Sequence, residues 1–208
     1  FPPQPGGLGN HAFNLARQLS KNKYKVTVLA DFRSKDRHEE KVYDMSLDFK
    51  VIRIKRYGIL IFTYFNRWLV YRKYLKATKP EIIIASGKFP LWLVAFESNF
   101  STKKRLAVIH GSEVNLKVKW RHKLVDIALK RFDIVIAVSD YTKSLVTQLK
   151  LKSLEVITNG FNHTDFKKKD NLPKLKGFPN LITVGSLSQR KGQHNVICKL
   201  PYLIGEYP

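Results

Sequence analysis

The stretch EIIIASGKFPLWLVAFE, residues 81–97, decides how the fold is read. Residues 81–85 form a short, continuous, β-branched run, the pattern of a parallel strand covered on both faces. Ser86 and Gly87 break the run, and residues 88–97 then read as a helix. Outward from this unit the same alternation recurs. Strand-like runs stand at 25–30 (KVTVLA), 50–54 (KVIRI), 106–109 (LAVI) and 133–138 (DIVIAV), with helical segments at 61–76, 119–130 and 141–149. Short buried strands alternating with helices of about 10–15 residues predict a doubly wound, parallel α/β sheet.

A short strand at 154–157 closes this pattern, which predicts a first domain over residues 1–160. Residues 161–179 are polar and lysine-rich, with Pro173, and read as an interdomain connection. The pattern then restarts, with a strand at 180–184, a loop at 185–192 and a helix from about Gln193. One strand–loop–helix cannot bury its own sheet, so residues 180–208 are expected to be the truncated start of a second α/β domain.

At the other end, PPQPGGLG (residues 2–9) runs into a helical pattern in which Leu8, Ala12, Leu15, Ala16 and Leu19 share a face, with Lys21 and Asn22 at its close. Glycines at a helix start let backbone N–H groups approach an anion closely. The plainer reading of Gly6, Gly7 and Gly9 is a tight turn entering the helix. Such loops usually follow a buried strand and none precedes this one, so the chain is expected to be a fragment beginning inside the loop.

The chain has 208 residues and is 44% hydrophobic, enough to bury a real core. Its single cysteine, Cys198, excludes an internal disulfide and fits a reducing, cytoplasmic compartment. No signal-peptide pattern is visible, and the longest apolar stretch, 59–65, falls far short of the ~18 residues a membrane span needs. Lys plus Arg number 38 against 16 acids, a net charge of +22. Such a field attracts nucleic acid, anionic lipid or phosphorylated ligands, or it reflects a surface solvated with lysine. Residues 53–79 interleave Tyr57, Phe62, Tyr64, Phe65, Trp68, Tyr71 and Tyr74 with eight cations. Ile61, Phe65, Trp68, Leu69 and Leu75 read as one helical face. This pattern suits an anionic membrane surface or an ordinary helix packed on the sheet, and both readings stay open.

Five constellations carry candidate chemistry. The first is the glycine loop. The second, His110-Gly111-Ser112-Glu113, directly follows a strand, where open α/β sheets place their ligands. A histidine there can donate to a sugar hydroxyl or move a proton, or simply bond to backbone. The third is Ser139-Asp140, whose first reading is a helix cap. The fourth, Asn159-Gly160, is a turn signal beside the expected interdomain cleft. The fifth, TVGSLSQRKG at 183–192, delivers Gly185, Arg190 and Lys191 near a helix start, as a diphosphate clamp or a solvated basic loop.

In this order the five resemble the retaining glycosyltransferases of family 4, with the GT-B fold, over essentially the whole chain. The resemblance implies two Rossmann-like domains facing across a cleft, the acceptor held mainly by the N-terminal one and a nucleotide-diphospho-sugar donor mainly by the C-terminal one. It makes His110 the active-site histidine that contacts the donor sugar, and it sets Gly6 and Gly7 near the donor phosphates and Asn159 and Gly160 near the cleft. Lys191 would bind the leaving diphosphate, so no metal or other cofactor is expected. Ser186 stands where many members carry an arginine, and Arg190 is the candidate replacement. The family's paired glutamates would lie past residue 208, so the chain by itself is expected to lack transfer activity. The implied setting is surface polysaccharide or glycolipid assembly with a glycan or lipid-linked acceptor, in the cytoplasm or peripheral on its membrane face. Two other classes were weighed: a GT-B sugar-nucleotide epimerase, against which VGSLSQRKG argues, and a basic nucleic-acid-binding module. No compact nucleic-acid motif is present and the cations are spread along the chain, so nucleic acid is not an expected partner.

Overall fold

A computed structural model describes residues 1–34, 36–97, 104–115, 119–160 and 180–206, with only the backbone described at 119–121, 190 and 206. The chain divides into two compact units, Phe1–Gly160 and Phe161–Pro208. The expected connection at 161–179 lies outside the described residues.

In the first unit, β1 (Thr27–Asp31) pairs in parallel with β2 (Lys50–Ile54), joined through α2 (Arg37–Met45). A second parallel ladder runs in chain order through β3 (Ile82–Ser86), β4 (Lys104–Ile109), β5 (Ile134–Ala137) and β6 (Leu154–Val156). Between its strands lie α4 (Lys88–Ala95), α5 (Lys119–Leu129) and α6 (Asp140–Ser144). Helix α1 (Gly7–Lys21) leads into β1, and α3 (Leu60–Thr78) joins β2 to β3. The architecture is thus α/β with parallel sheets, of the Rossmann-like kind, its strands in two ladders. Leu91, Val94 and Ala95 of α4 and Val125, Ala128 and Leu129 of α5 bury themselves against Ala85, Ile109, Val135 and Ala137 of the second ladder. A smaller cluster gathers Phe1, Ala16 and Phe49 against the first ladder.

Three local readings change. Helix α2 was not expected, because RHEEKVYDM shows no apolar stripe. It forms because Asp36 accepts the His38 N–H at 2.8 Å as its cap, with Glu39 and Glu40 in the first turn. Helix α6 stops at Ser144 rather than continuing through 149. Thr147 Oγ1 and Gln148 Nε2 there bond the Lys143 and Leu145 carbonyls, competing with the helical ladder. Residues 180–184 form no strand: they are exposed, and no ladder partner meets them among the described residues, without which a strand's backbone groups stay unpaired. In this second unit a single turn at Gln189–Lys191 leads through Gly192 into α7 (Gln193–Glu206). Among the described residues no helix is long and apolar enough to cross a membrane.

The first unit is tied by a buried ion network. Arg53 on β2 is 3% exposed and donates from Nε and Nη2 to both oxygens of Asp44, each at 2.8 Å. Its Nη1 lies 3.6 Å from Glu40, its Nη2 also donates to the Pro2 carbonyl, and its plane sits over Phe1 at 5.3 Å. Glu40 in turn accepts the N–H groups of Arg33 and Ser34 at 2.9 and 3.2 Å. Arg53→Met takes the guanidinium away from the buried Glu40 and from Asp44, and is expected to cost about 3–5 kcal/mol in urea unfolding. Arg67→Met, which removes a partly exposed pair with Asp31, is expected to cost about 1 kcal/mol. Equal costs for the two would remove Arg53 from its proposed weight.

Candidate active site

The second ladder aligns its carboxyl ends. Ser86 on β3 pairs with Val108 on β4, and Ile109 with Ala137 on β5, so the loops after each strand open on one edge. His110, the first residue past β4, sets its Nε2 3.0 Å from Ser86 Oγ. Its backbone N–H donates to Glu113 Oε2 at 3.0 Å. Gly111 adopts φ +94°, which favours glycine, and its carbonyl accepts from Val114 and Asn115, closing a turn that fixes the imidazole. Ser139 caps α6, accepting from the Thr142 N–H at 3.1 Å, and Thr142 lies buried beside Gly111.

Helix α1 brings a second imidazole. His11 stands edge-to-face on His110, ring centroids 4.7 Å apart at 83°. The start of α1 is packed closely: a Cβ on Gly9 would come within 2.4 Å of the Phe1 nitrogen. Gly6 carries no side chain where one would meet Arg33 Nη1 at 3.5 Å, whereas Gly7 has open space beside it. The structure therefore brings His110 together with Ser86, Glu113 and His11, and sets Gly6 and Gly7 one helical turn before His11. Asn159 and Gly160 lie exposed in irregular chain past β6, and a Cβ on Gly160 would meet nothing within 4 Å among the described residues. In the second unit, Gly185 begins the loop in which Gln193 Nε2 donates to the Ser186 carbonyl at 3.0 Å. Lys191 is exposed there, two residues before α7. The Arg190 side chain lies outside what is described.

Burial is the main cause that holds His110 below the ordinary histidine value, and His11 adds to it while Glu113 opposes it. Burial likewise lowers His11. Both rings are thus neutral near pH 7, each with one N–H donor and one acceptor nitrogen. Glu113 is fully buried, and its Oε1 and the His11 Nδ1 have no hydrogen-bond partner among the described residues. No cluster of three or more His, Cys, Asp or Glu able to hold a metal occurs among the described residues.

Sequence reasoning found His110 but missed His11 and Ser86, and it named Glu113 without a role. The signal for His11 was present: four residues before Leu15, it is a polar group that borders the apolar stripe of α1.

The family model for Glycosyltransferase Family 4 matches residues 5–165. No curated protein matches the chain.

The paired histidines generate a pH dependence. Unfolded imidazoles titrate near 6.5, and both folded values lie lower. Just below that pH the unfolded imidazoles bind more protons than the folded ones, so the contribution of the pair is expected to be flat above it and to be lost as pH drops toward the folded values. Thermal unfolding followed between pH 8 and pH 5.5 should show this fall, and it should be shallower in His11→Gln/His110→Gln. An undiminished fall in the double variant would assign it to other groups.

Proposed function

Because the chain belongs to Glycosyltransferase Family 4 and its substrates are accordingly a sugar donor and an acceptor, we propose that it serves a retaining transfer from a nucleotide-diphospho-sugar to a glycan or lipid-linked acceptor. The setting that fits is surface polysaccharide or glycolipid assembly at the cytoplasmic side of a membrane. The observation that carries this reading is the fixed, neutral imidazole of His110. Held by Ser86 and by the Glu113-anchored turn, it offers a sugar hydroxyl one donor or acceptor without a competing charge. A protonated ring would repel the electron-deficient anomeric carbon that forms as the glycosidic bond lengthens.

The remaining roles follow from residue chemistry. Gly6 and Gly7 bare the backbone at the positive end of α1, where a phosphate or sugar oxygen approaches with the Arg33 guanidinium beside Gly6. Asn159 and Gly160 contribute backbone and amide contacts to the donor. Gly185, Arg190 and Lys191 take the diphosphate. Negative charge grows on that leaving group as the bond breaks, and cations fixed beside it stabilise the transition state more than the ground state. In this reading the cations do the work for which other transferases recruit a divalent metal.

Titration with UDP-glucose and GDP-mannose, followed by saturation-transfer NMR, tests these roles separately. His110→Ala is expected to lose contacts to the hexose protons while keeping those to the nucleotide. Lys191→Ala is expected to weaken binding of the nucleoside diphosphate by roughly tenfold, the worth of one charge-assisted hydrogen bond. The reading fails if no nucleotide sugar gives a signal with the unaltered chain, or if His110→Ala keeps the hexose contacts.

A further inference from the structure

Past the carboxyl ends of β1 and β2 stands a second constellation, whose Arg33 reaches back toward Gly6. Phe32, Arg33, Ser34, Arg37, Arg56 and Tyr57 line an open cavity of about 240 Å³. Among the described residues the nearby acids are engaged elsewhere: Asp31 by Arg67, Asp44 and Glu40 by Arg53, and Asp36 in capping α2. Arg33, Arg37 and Arg56 therefore share one concavity without a carboxylate partner. Three guanidinium forks around one hollow form a receptor for a group with several anionic oxygens, a phosphate above all.

This hollow opens beside an apolar surface of the same chain. Thr63 Oγ1 accepts the Tyr57 N–H at 2.8 Å and donates to the Tyr57 carbonyl at 3.1 Å, which pins the loop after β2 onto α3. Beyond the loop, Ile59, Leu60, Ile61 and Phe62 are all exposed, Ile61 to 69%. Phe62 and Phe65, each 56% exposed, continue through Leu69 to Lys73 and Lys76 at helical spacing. They make one outward stripe, apolar where it meets the arginines and cationic further along. The inward face is a different set, with Thr63, Tyr71 and Leu75 buried. Leu75 thus leaves the stripe on which the sequence pattern had placed it beside Ile61, Phe65 and Leu69.

We propose that residues 55–76 dock on an anionic phospholipid bilayer, with a lipid phosphate seated among Arg33, Arg37 and Arg56 and with Phe62, Phe65 and Leu69 entering the headgroup boundary. Only such a surface offers both things that this face presents a need for, phosphate oxygens and apolar depth a few ångströms beneath them. A nucleic acid would leave the aromatic and aliphatic side chains in water. A second copy would bring two chains of +22 together on a stripe that itself ends in lysines. The inference shares Arg33 with the surroundings of the glycine loop, but vesicle binding is read without a sugar donor, so its failure is distinguishable from failure of the transfer reading.

Co-sedimentation of the chain with vesicles of phosphatidylcholine alone, and of equal parts phosphatidylcholine and phosphatidylglycerol, tests it at low and raised salt. Binding is expected with the mixed vesicles and is expected to persist in part at raised salt, where purely electrostatic adsorption is screened. Phe62→Glu/Phe65→Glu/Leu69→Glu should weaken it by about tenfold or more. Arg33→Gln/Arg37→Gln/Arg56→Gln should remove the preference for phosphatidylglycerol. All six positions are on the surface, and far-UV circular dichroism checks that each variant folds; Phe62→Ser/Phe65→Ser serves as a milder pair. The proposal is overturned if the unaltered chain fails to bind mixed vesicles at low salt, or if the glutamate variant binds like it. It is also overturned by nucleic-acid binding without vesicle binding, or by a dimer that Phe65→Glu separates.

Discussion

A single guanidinium holds together the part of the molecule that bears the glycine loop. Arg53 reaches from β2 to α2 through Asp44 and Glu40, and to the chain's first residues through the Pro2 carbonyl and the Phe1 ring. A buried cation is tolerated only when its charge and all its donors are met, so the surrounding segments have little freedom to shift independently. The consequence reaches the candidate site. The segment that Arg53 fixes runs directly into α1, and α1 sets His11 against His110. The two ladders are therefore linked at the site itself: one supplies the helix with the glycines, the other the strand-end histidine.

At that junction the fold controls protonation by burial rather than by a counter-charge. His110 is flanked by a carboxylate, which alone would favour its charged form, yet desolvation and a second imidazole outweigh it. The ring is left neutral and directional, with Ser86 taking one nitrogen. This arrangement suits recognition of hydroxyl groups, which need a partner of defined donor or acceptor sense.

How much of this the sequence disclosed depends on where each signal resided. Continuous β-branched runs such as residues 82–85 announced their strands because a strand covered on both faces needs apolar residues at every position. The run at 181–184 is also apolar and β-branched but pairs with no strand among the described residues, and composition says nothing of strand partners. Helix α2 was hidden because capping and a buried Glu40, rather than an apolar stripe, stabilise it. His110 was legible from its place after a strand. The burial of Glu113 and the meeting of His11 with His110 depend on contacts about a hundred residues apart along the chain. Likewise the periodicity of α3 marked a helix without saying which of its apolar residues faces inward, a choice settled by where β2 and α4 lie.

Glu113 has one further consequence. One of its oxygens is occupied by the His110 N–H, and the other is buried with no partner among the described residues. A carboxylate oxygen can only accept, so any group that comes to it must bring a hydrogen of its own. That oxygen is buried, so Glu113 bears on whatever occupies the site through the His110 N–H that it holds, rather than by meeting it directly.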